Sequence, residues 1–451
     1  MQINHLTSID FFLWGDPQAV GQDVTDLTTP LFVDEEAVYT AAGSGYSLIV
    51  LSDGQAMSAG YIESLNMYQG HLGLDSQDVV QGVNSFRLVE KVYDADSLSF
   101  ISPLFDKVFA GVENTPNSGI VHSILLDRQG RAWAVGSNKR GQLCLGDGKN
   151  RMIPEKIPTS VRIVDVALGG AHTLLLDEFG NVHSCGSNDV GQLGLGKDVV
   201  DSQVPKTIEG LERVTSISTG HSHSLFTTQD STYFVGSNEF GQLCISEKEN
   251  VFTPRALDTS QKSVLSFEAI RESSFILYKD GLVAGCGRND FGQLGDGTNQ
   301  DKIIAPVDLN GRATRLLGIG PSSQSVFFVT NDEFVWGTGL NNRGQLGTGD
   351  QENRNSPSRV KFRATVLMDL ISAAEFHTLA LGGVSGNTPL PTNASPELTL
   401  APSKRPAFTS PTAPPTDFET DLTPVPNILA AVPTKSPTCK SIQKVLYCHI
   451  L

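Results

Sequence analysis

Basic residues are in short supply in this sequence. Its 451 residues hold 33 Lys and Arg against 49 Asp and Glu, a formal charge of −16. A field of that sign repels phosphate, so direct nucleic-acid binding and bulk attraction to anionic membrane are not expected. Long apolar runs are missing as well. None approaches the ~18 residues of a spanning helix, which excludes a helical transmembrane segment. Residues 1–20 carry Asp10 and Asp16 and no basic stretch ahead of an apolar one, so they do not read as a secretory signal. Cysteine is sparse: six residues, with no Cys-x-x-Cys pair, argue against a disulfide framework and against a zinc site. No activated nucleophile, paired carboxylates or phosphate loop stands out. The Gly-rich turns lack the Lys-Ser/Thr and the helix that a phosphate cradle needs. These absences give the expectation of a non-enzyme that uses no cofactor and no metal, a monomer of the cytoplasm or the nucleus.

What the sequence has in quantity is glycine, 44 residues, the mark of many tight turns. Composition changes near Gly383. Residues 384–451 hold 12 of the 23 prolines and little periodic apolar pattern, so they read as a disordered Pro/Ser/Thr-rich tail. That tail has five basic and four acidic residues, which leaves −17 on residues 1–383.

Residues 10–383 repeat. Gly-Gln-Leu stands at Gly141, Gly191, Gly241, Gly292 and Gly344, at intervals of 50, 50, 51 and 52 residues. Gly70-His71-Leu72 and Gly21-Gln22-Asp23 are weaker copies ahead of them, making seven. Gly-Ser-Asn precedes the turn at Gly136, Gly186 and Gly236, and a proline follows it at Pro154, Pro205, Pro254, Pro306 and Pro357. A second element alternates with the turns. It reads Gly-x-x-His-Ser/Thr and then apolar residues, around His172 and His223, with His122 and His377 in matching segments. Tyr46, Ser273 and Gln324 take the histidine place in the other copies. Runs such as 172–176 have strand length, and the Asp-Gly signals beside them are hairpin turns. About four strands per repeat make one propeller blade, which must stack on its neighbours to bury both faces. The chain opens partway through a repeat, with Phe11 to Gly15, and its repeats end on a segment, 370–381, that has no glycine turn after it. The expected fold is all-β: a seven-bladed β-propeller of four-stranded blades, closed by pairing of the N- and C-terminal strands.

Gly186 to Gly196, with its Gly-Ser-Asn-x-x-Gly-Gln-Leu-Gly-x-Gly pattern, resembles the repeat of the regulator of chromosome condensation family. The resemblance implies a seven-bladed propeller and a choice of roles: exchange factor for a small GTPase, scaffold of a ubiquitin ligase, or ultraviolet-B photoreceptor. Trp14, Trp133 and Trp336 fall in three different repeats, which argues against light sensing. The main reading is a non-catalytic platform for a protein partner in small-GTPase or trafficking regulation. The alternatives are a guanine-nucleotide exchange factor for a Ran-like small GTPase and a substrate-recognition module for a ubiquitin ligase.

The spacing from Gly70 to Gly141 is 71 residues, and the surplus marks candidate partner-binding residues: Tyr93, Asp94 and Asp96 in one insertion, Asn114 and Asn117 in another. The four histidines share one repeat position and are expected as hydrogen-bonding core residues. Cys144, Cys185, Cys244 and Cys286 are expected as buried small hydrophobes. Cys448-His449-Ile450-Leu451 fits a prenylation signal, which makes Cys448 a candidate lipid-anchoring site.

Overall fold

Each of the five Gly-Gln-Leu turns is held by two amide side chains. Asn188 accepts the Leu193 N–H on Oδ1 at 2.9 Å and donates Nδ2 to the carbonyls of Gly196 and Val199. Gln192 accepts the Val190 N–H. Asn138, Asn238, Asn289 and Asn341 repeat the first bond, and Gln142, Gln242, Gln293 and Gln345 the second. The glycine of Gly-Gln-Leu has φ +84° at Gly141, and a Cβ there would meet the backbone of Gln203 in the next repeat at 2.7 Å. Glycine is therefore required both by the left-handed conformation and by the seating of one repeat on the next. Asn188→Ala would strand buried backbone groups, and we expect it to lower the unfolding free energy by about 2–3 kcal/mol in denaturant titration.

In the computed structural model the described residues are 10–16, 31–33, 36–60, 70, 72–74, 83–113, 120–258, 262–307, 309, 311, 313–317, 323–362 and 366–384. They form seven antiparallel blades in a ring, with no helix among them. We number the blades by their inner strands: Ala37–Gly43, Phe105–Glu113, Ile163–Leu168, Val214–Thr219, Val264–Ile270, Ala313–Leu317 and Val366–Ala373. Six blades have four strands. Blade 2 has six, because the hairpin Val92–Asp94 and Ser99–Ile101 adds to its outer edge. The insertion that includes Tyr93 is thus sheet rather than a loop.

Blade 7 closes the ring. Its inner strands, Val366–Ala373 and His377–Val384, are completed by Asp10–Gly15 and Leu31–Val33. The register runs from Asp10↔Gly382 to Gly15↔His377. Phe11, Leu13 and Trp14 are fully buried, and Trp14 donates Nε1–H to the Gln345 carbonyl of blade 6 at 2.6 Å. Burial at roughly 1.5–3 kcal/mol per large apolar side chain makes this short strand a strong clasp. The cores lie between blades. One joins Phe12 and Trp14 of blade 7 to Phe327 and Leu346 of blade 6, and another joins Phe11 and Leu13 to Ile49 and Ala59 of blade 1.

Two sequence expectations are corrected. The cysteines are not free: Cys144 bonds Cys185 and Cys244 bonds Cys286. Each bridge ties the glycine turn of one blade to the third strand of the next, across the seams between blades 2 and 3 and between blades 4 and 5. Cys144 and Cys244 sit at φ 60° and 58°, where Gly194 and Gly295 occupy the same place in other copies. Second, Ser325 and not Gln324 takes the histidine position in blade 6. Ser325 pairs with Gly339 as His172 pairs with Gly186, so the chain ahead of it is one residue longer than the repeat pattern suggests.

The weak turn copy at Gly21, the residues 114–119 with Asn114 and Asn117, and the tail from 385 with Cys448 lie outside the described residues.

Candidate functional site

Two features distinguish this propeller: the polar seams between blades and the added hairpin. The seams are built by the Gly-x-x-His element. His172 donates Nε2–H to Ser224 of the next blade at 2.9 Å, and Ser224 passes its own proton to the Gln192 carbonyl at 2.7 Å. His223 with Ser274 and Gln242 repeats the arrangement, as does His122 with Thr173 and Gln142. His377 reaches Ser47 across the closure seam. Each hydroxyl that gives its one proton to a carbonyl must accept from the ring, which fixes Nε2 as the protonated nitrogen. The Nδ1 atoms of all four rings are buried and find no hydrogen-bond partner among the described residues. Burial holds each of the four imidazoles down to about 3, so they stay neutral. The glycine three residues earlier makes the room: a Cβ on Gly169 would lie 2.0 Å from the His172 ring. Gly169→Ala is expected to destabilise the fold by about 3 kcal/mol, a clash with packed core that denaturant titration measures. These histidines are seam struts, and their geometry presents no open face for a ligand.

Blade 6 lacks a hydroxyl on its second strand at this level, where Val326 stands. Thr338, its cross-strand partner, donates to the Gln293 carbonyl instead at 2.8 Å. The compensation keeps the seam satisfied without the motif.

The hairpin of blade 2 gathers three of the sequence-predicted residues. Asp94 opens the turn and folds it: Oδ1 accepts the Asp96 N–H at 3.2 Å and Oδ2 the Ser97 hydroxyl at 2.8 Å. The Ser97 bond, with Lys156 nearby, holds its carboxyl below the usual range. Asp96 pairs with Lys156 of the adjoining strand, and Asp94 lies 4.0 Å from the same ammonium. Tyr93 packs edge-on against Phe100, ring centroids 5.5 Å apart, and Lys91 lies over the Phe100 ring at 5.3 Å. The inner strand of the hairpin joins the blade through the parallel pair Glu155↔Tyr93. Its outer strand, Ser99–Ile101, is the last of the sheet. Leu98 at the turn is 76 % exposed and Phe100 57 %. A short exposed edge carrying two large apolar side chains is a surface for contact with another chain.

Of the two insertions, only the one that includes Tyr93 falls among the described residues. Glu113 and Ile120, which flank residues 114–119, lie on the two innermost strands, whereas Tyr93 lies beyond the fourth strand of the same sheet. At ~4.8 Å per strand, that is about 19 Å from the innermost strand. Leu98 and Phe100 were not singled out from sequence. Their signal was an apolar pair in a polar insertion, which is legible only once the hairpin is known.

The comparisons with known proteins agree with this architecture. The family model of the regulator of chromosome condensation (RCC1) repeat matches residues 129–176, 180–227 and 332–381, and a second model of the same repeat matches 163–192. The ultraviolet-B receptor UVR8 of Arabidopsis thaliana is 30% identical over 276 residues, 59% of this chain and 62% of the receptor. The human E3 ubiquitin-protein ligase HERC2 is 28% identical over 58% of this chain, which is 6% of the ligase. The chain thus spans less than two thirds of these curated relatives. Among solved structures, yeast RCC1 (Prp20) bound to Kap60 superposes with a TM-score of 0.68 at 20% identity, covering 86% of this chain and 95% of that one. Human WBSCR16 gives 0.68 at 19% identity, covering 84% and 99%. At such identities the likeness is one of fold.

Proposed function

We propose that this chain, in which the family model of the regulator of chromosome condensation (RCC1) repeat matches residues 129–176, 180–227 and 332–381, is a non-catalytic protein-interaction platform whose partner docks on the blade 2 hairpin. The observation that carries this reading is the added edge itself. Among the described residues six blades have four strands. One continues outward into a hairpin that sets Leu98 and Phe100 in solvent. Exposed aromatic and aliphatic side chains at one point are what anchor a partner, while Asp94, Asp96 and Lys156 hold the shape beneath them. Asn114 and Asn117, outside the described residues, are carried as further candidates for partner contact.

The test is capture of partners by the full chain and by Leu98→Asp and Phe100→Asp variants. Both side chains are exposed, so thermal unfolding is expected to stay within ~0.5 kcal/mol of the parent while the captured partner is lost. Unchanged capture by both variants would remove the hairpin from the reading.

Guanine-nucleotide exchange on a small GTPase is the second reading. It is favoured by the likeness to Prp20, whose binding to Gsp1p and histones has been characterised. Nucleotide release measured across a panel of GTPases separates it from plain docking. Contact with DNA is disfavoured by the charge of −17 on residues 1–383. Substrate recognition for a ubiquitin ligase would use the same hairpin. Light sensing is not proposed, because Trp14, Trp133 and Trp336 stand in blades 7, 2 and 6, and each indole N–H is taken by a different local acceptor.

A further inference from the structure

The seven inner strands surround an axial cavity of about 340 Å³. Common register sorts their residues into layers. Two residues past the histidine position on the second strand, the inner-strand partner is Phe109 in blade 2, Ser218 in blade 4, Glu268 in blade 5 and Ser372 in blade 7. Alanine or leucine takes that place in the other three blades. Glu268 is the one charged member of this layer. The next layer holds Tyr39, Lys107, Asp165 and Arg315.

The charges in that second layer are matched. Lys107 donates to Asp165 at 3.1 Å and to the Val164 carbonyl, and Arg315 lies 3.9 Å from Glu333. Glu268 has no such partner: among the described residues no cation pairs with it. Its carboxyl is hydrogen-bonded by the Ser218 hydroxyl, which also accepts the Ala269 N–H at 3.0 Å. Burial drives the Glu268 carboxyl up to about 7, and Asp165 pushes it the same way, as expected of an acid in a cavity short of positive charge.

The opposite wall is aromatic. In a ring of seven, the point across from blade 5 falls between blades 1 and 2. Those blades supply Tyr39 and Phe109, whose ring centroids lie 6.0 Å apart. Both rings and Glu268 line the same cavity. A carboxylate on one side and aromatic rings on the other is the chemistry that recognises an ammonium group. We propose that the axial cavity binds a small organic ammonium cation, with Glu268 as its counter-ion and the Tyr39–Phe109 pair as its facing wall. The site is separate from the hairpin and does not depend on the docking role.

The experiment is calorimetric titration of the full chain with choline chloride, and in parallel with tetramethylammonium chloride, at near-physiological salt. One saturable site per chain is expected. Glu268→Gln and Phe109→Leu should each weaken binding by about tenfold or more, the scale of one ion or cation–π contact. Glu178→Gln, a change at an exposed turn, should leave it unchanged. Glu268→Gln keeps the shape of the side chain, and an unaltered thermal transition shows that the cavity persists in the variant. Equal affinity in Glu268→Gln, a heat signal reproduced by sodium chloride at the same ionic strength, or no saturable binding of either cation would overturn the proposal.

Discussion

Reducing the two disulfides is expected to lower the unfolding free energy by about 4 kcal/mol each, measured by urea titration with and without reductant. The bridges close loops of 41 and 42 residues, and cross-linking at that separation removes much entropy from the unfolded chain. Reduction also leaves Cys144 and Cys244 at positive φ without the S–S bond, held there only by their N–H bonds to the Gly141 and Gly241 carbonyls. The seam between blades 3 and 4 shows what an unbridged joint uses: Gly194 at the turn, packed beside Val235. A variant with Cys144→Gly, Cys185→Val, Cys244→Gly and Cys286→Val should therefore be insensitive to reductant and fall between the oxidised and reduced parent. In a reducing compartment the thiols would persist and the lower stability would apply. A parent whose urea midpoint ignores reductant would show that the bridges do not form in solution.

Acid is expected to unfold the protein steeply. His122, His172, His223 and His377 are held at about 3 in the folded state, against 6.5 when unfolded. A depressed folded value means that the unfolded chain takes up the protons. The stability tied to these rings is complete above pH 6.5 and drains away as the pH falls toward 3. Glu268 acts in the opposite sense. Its folded value of about 7 lies above the ordinary 4.5, so the folded state holds the extra proton between those limits and gains from acidification. Near pH 5.5 the balance is roughly three protons taken up on unfolding, a slope of about 4 kcal/mol per pH unit. His221, also held low by burial, adds to the loss. Thermal unfolding at a series of pH values from 7.5 to about 5 reads the slope. His172→Gln removes one titrating ring and should flatten the slope by about 1.4 kcal/mol per pH unit. A transition that does not move over this range would contradict the buried neutral rings.

The repeat was legible because its signal is local. Asn188 and Gln192 bond within a dozen residues of themselves, so their spacing survives every copy and betrays the turn. Ring closure was legible for a related reason: Phe11 to Gly15 is a third strand without its own first two. The bridges were not legible, because Cys144 meets Cys185 only after two blades are seated. The sequence clue was small: cysteine at a place where Gly194 stands in another copy. The hairpin was hidden because its turn, 95–98, contains no glycine, and Asp94 supplies the turn geometry with its side chain. The misplacement of Gln324 has the same root as every register error: one extra residue moves each side chain to the opposite face. Glu268 escaped notice because an axis has no sequence period. A residue faces it only by virtue of the layer into which seven strands bring it.

All of these seams depend on a ring that is shut. Hydrogen exchange of the amides of residues 10–15 tests that most directly, since their strand alone joins the start of the chain to His377–Val384. The closed ring predicts slow exchange, with residues 10–15 opening together with the inner strands of blade 7 in one cooperative step. Rapid exchange at 10–15 while the other blades remain protected would contradict it, and the closure seam from His377 to Ser47 would have to be abandoned with it.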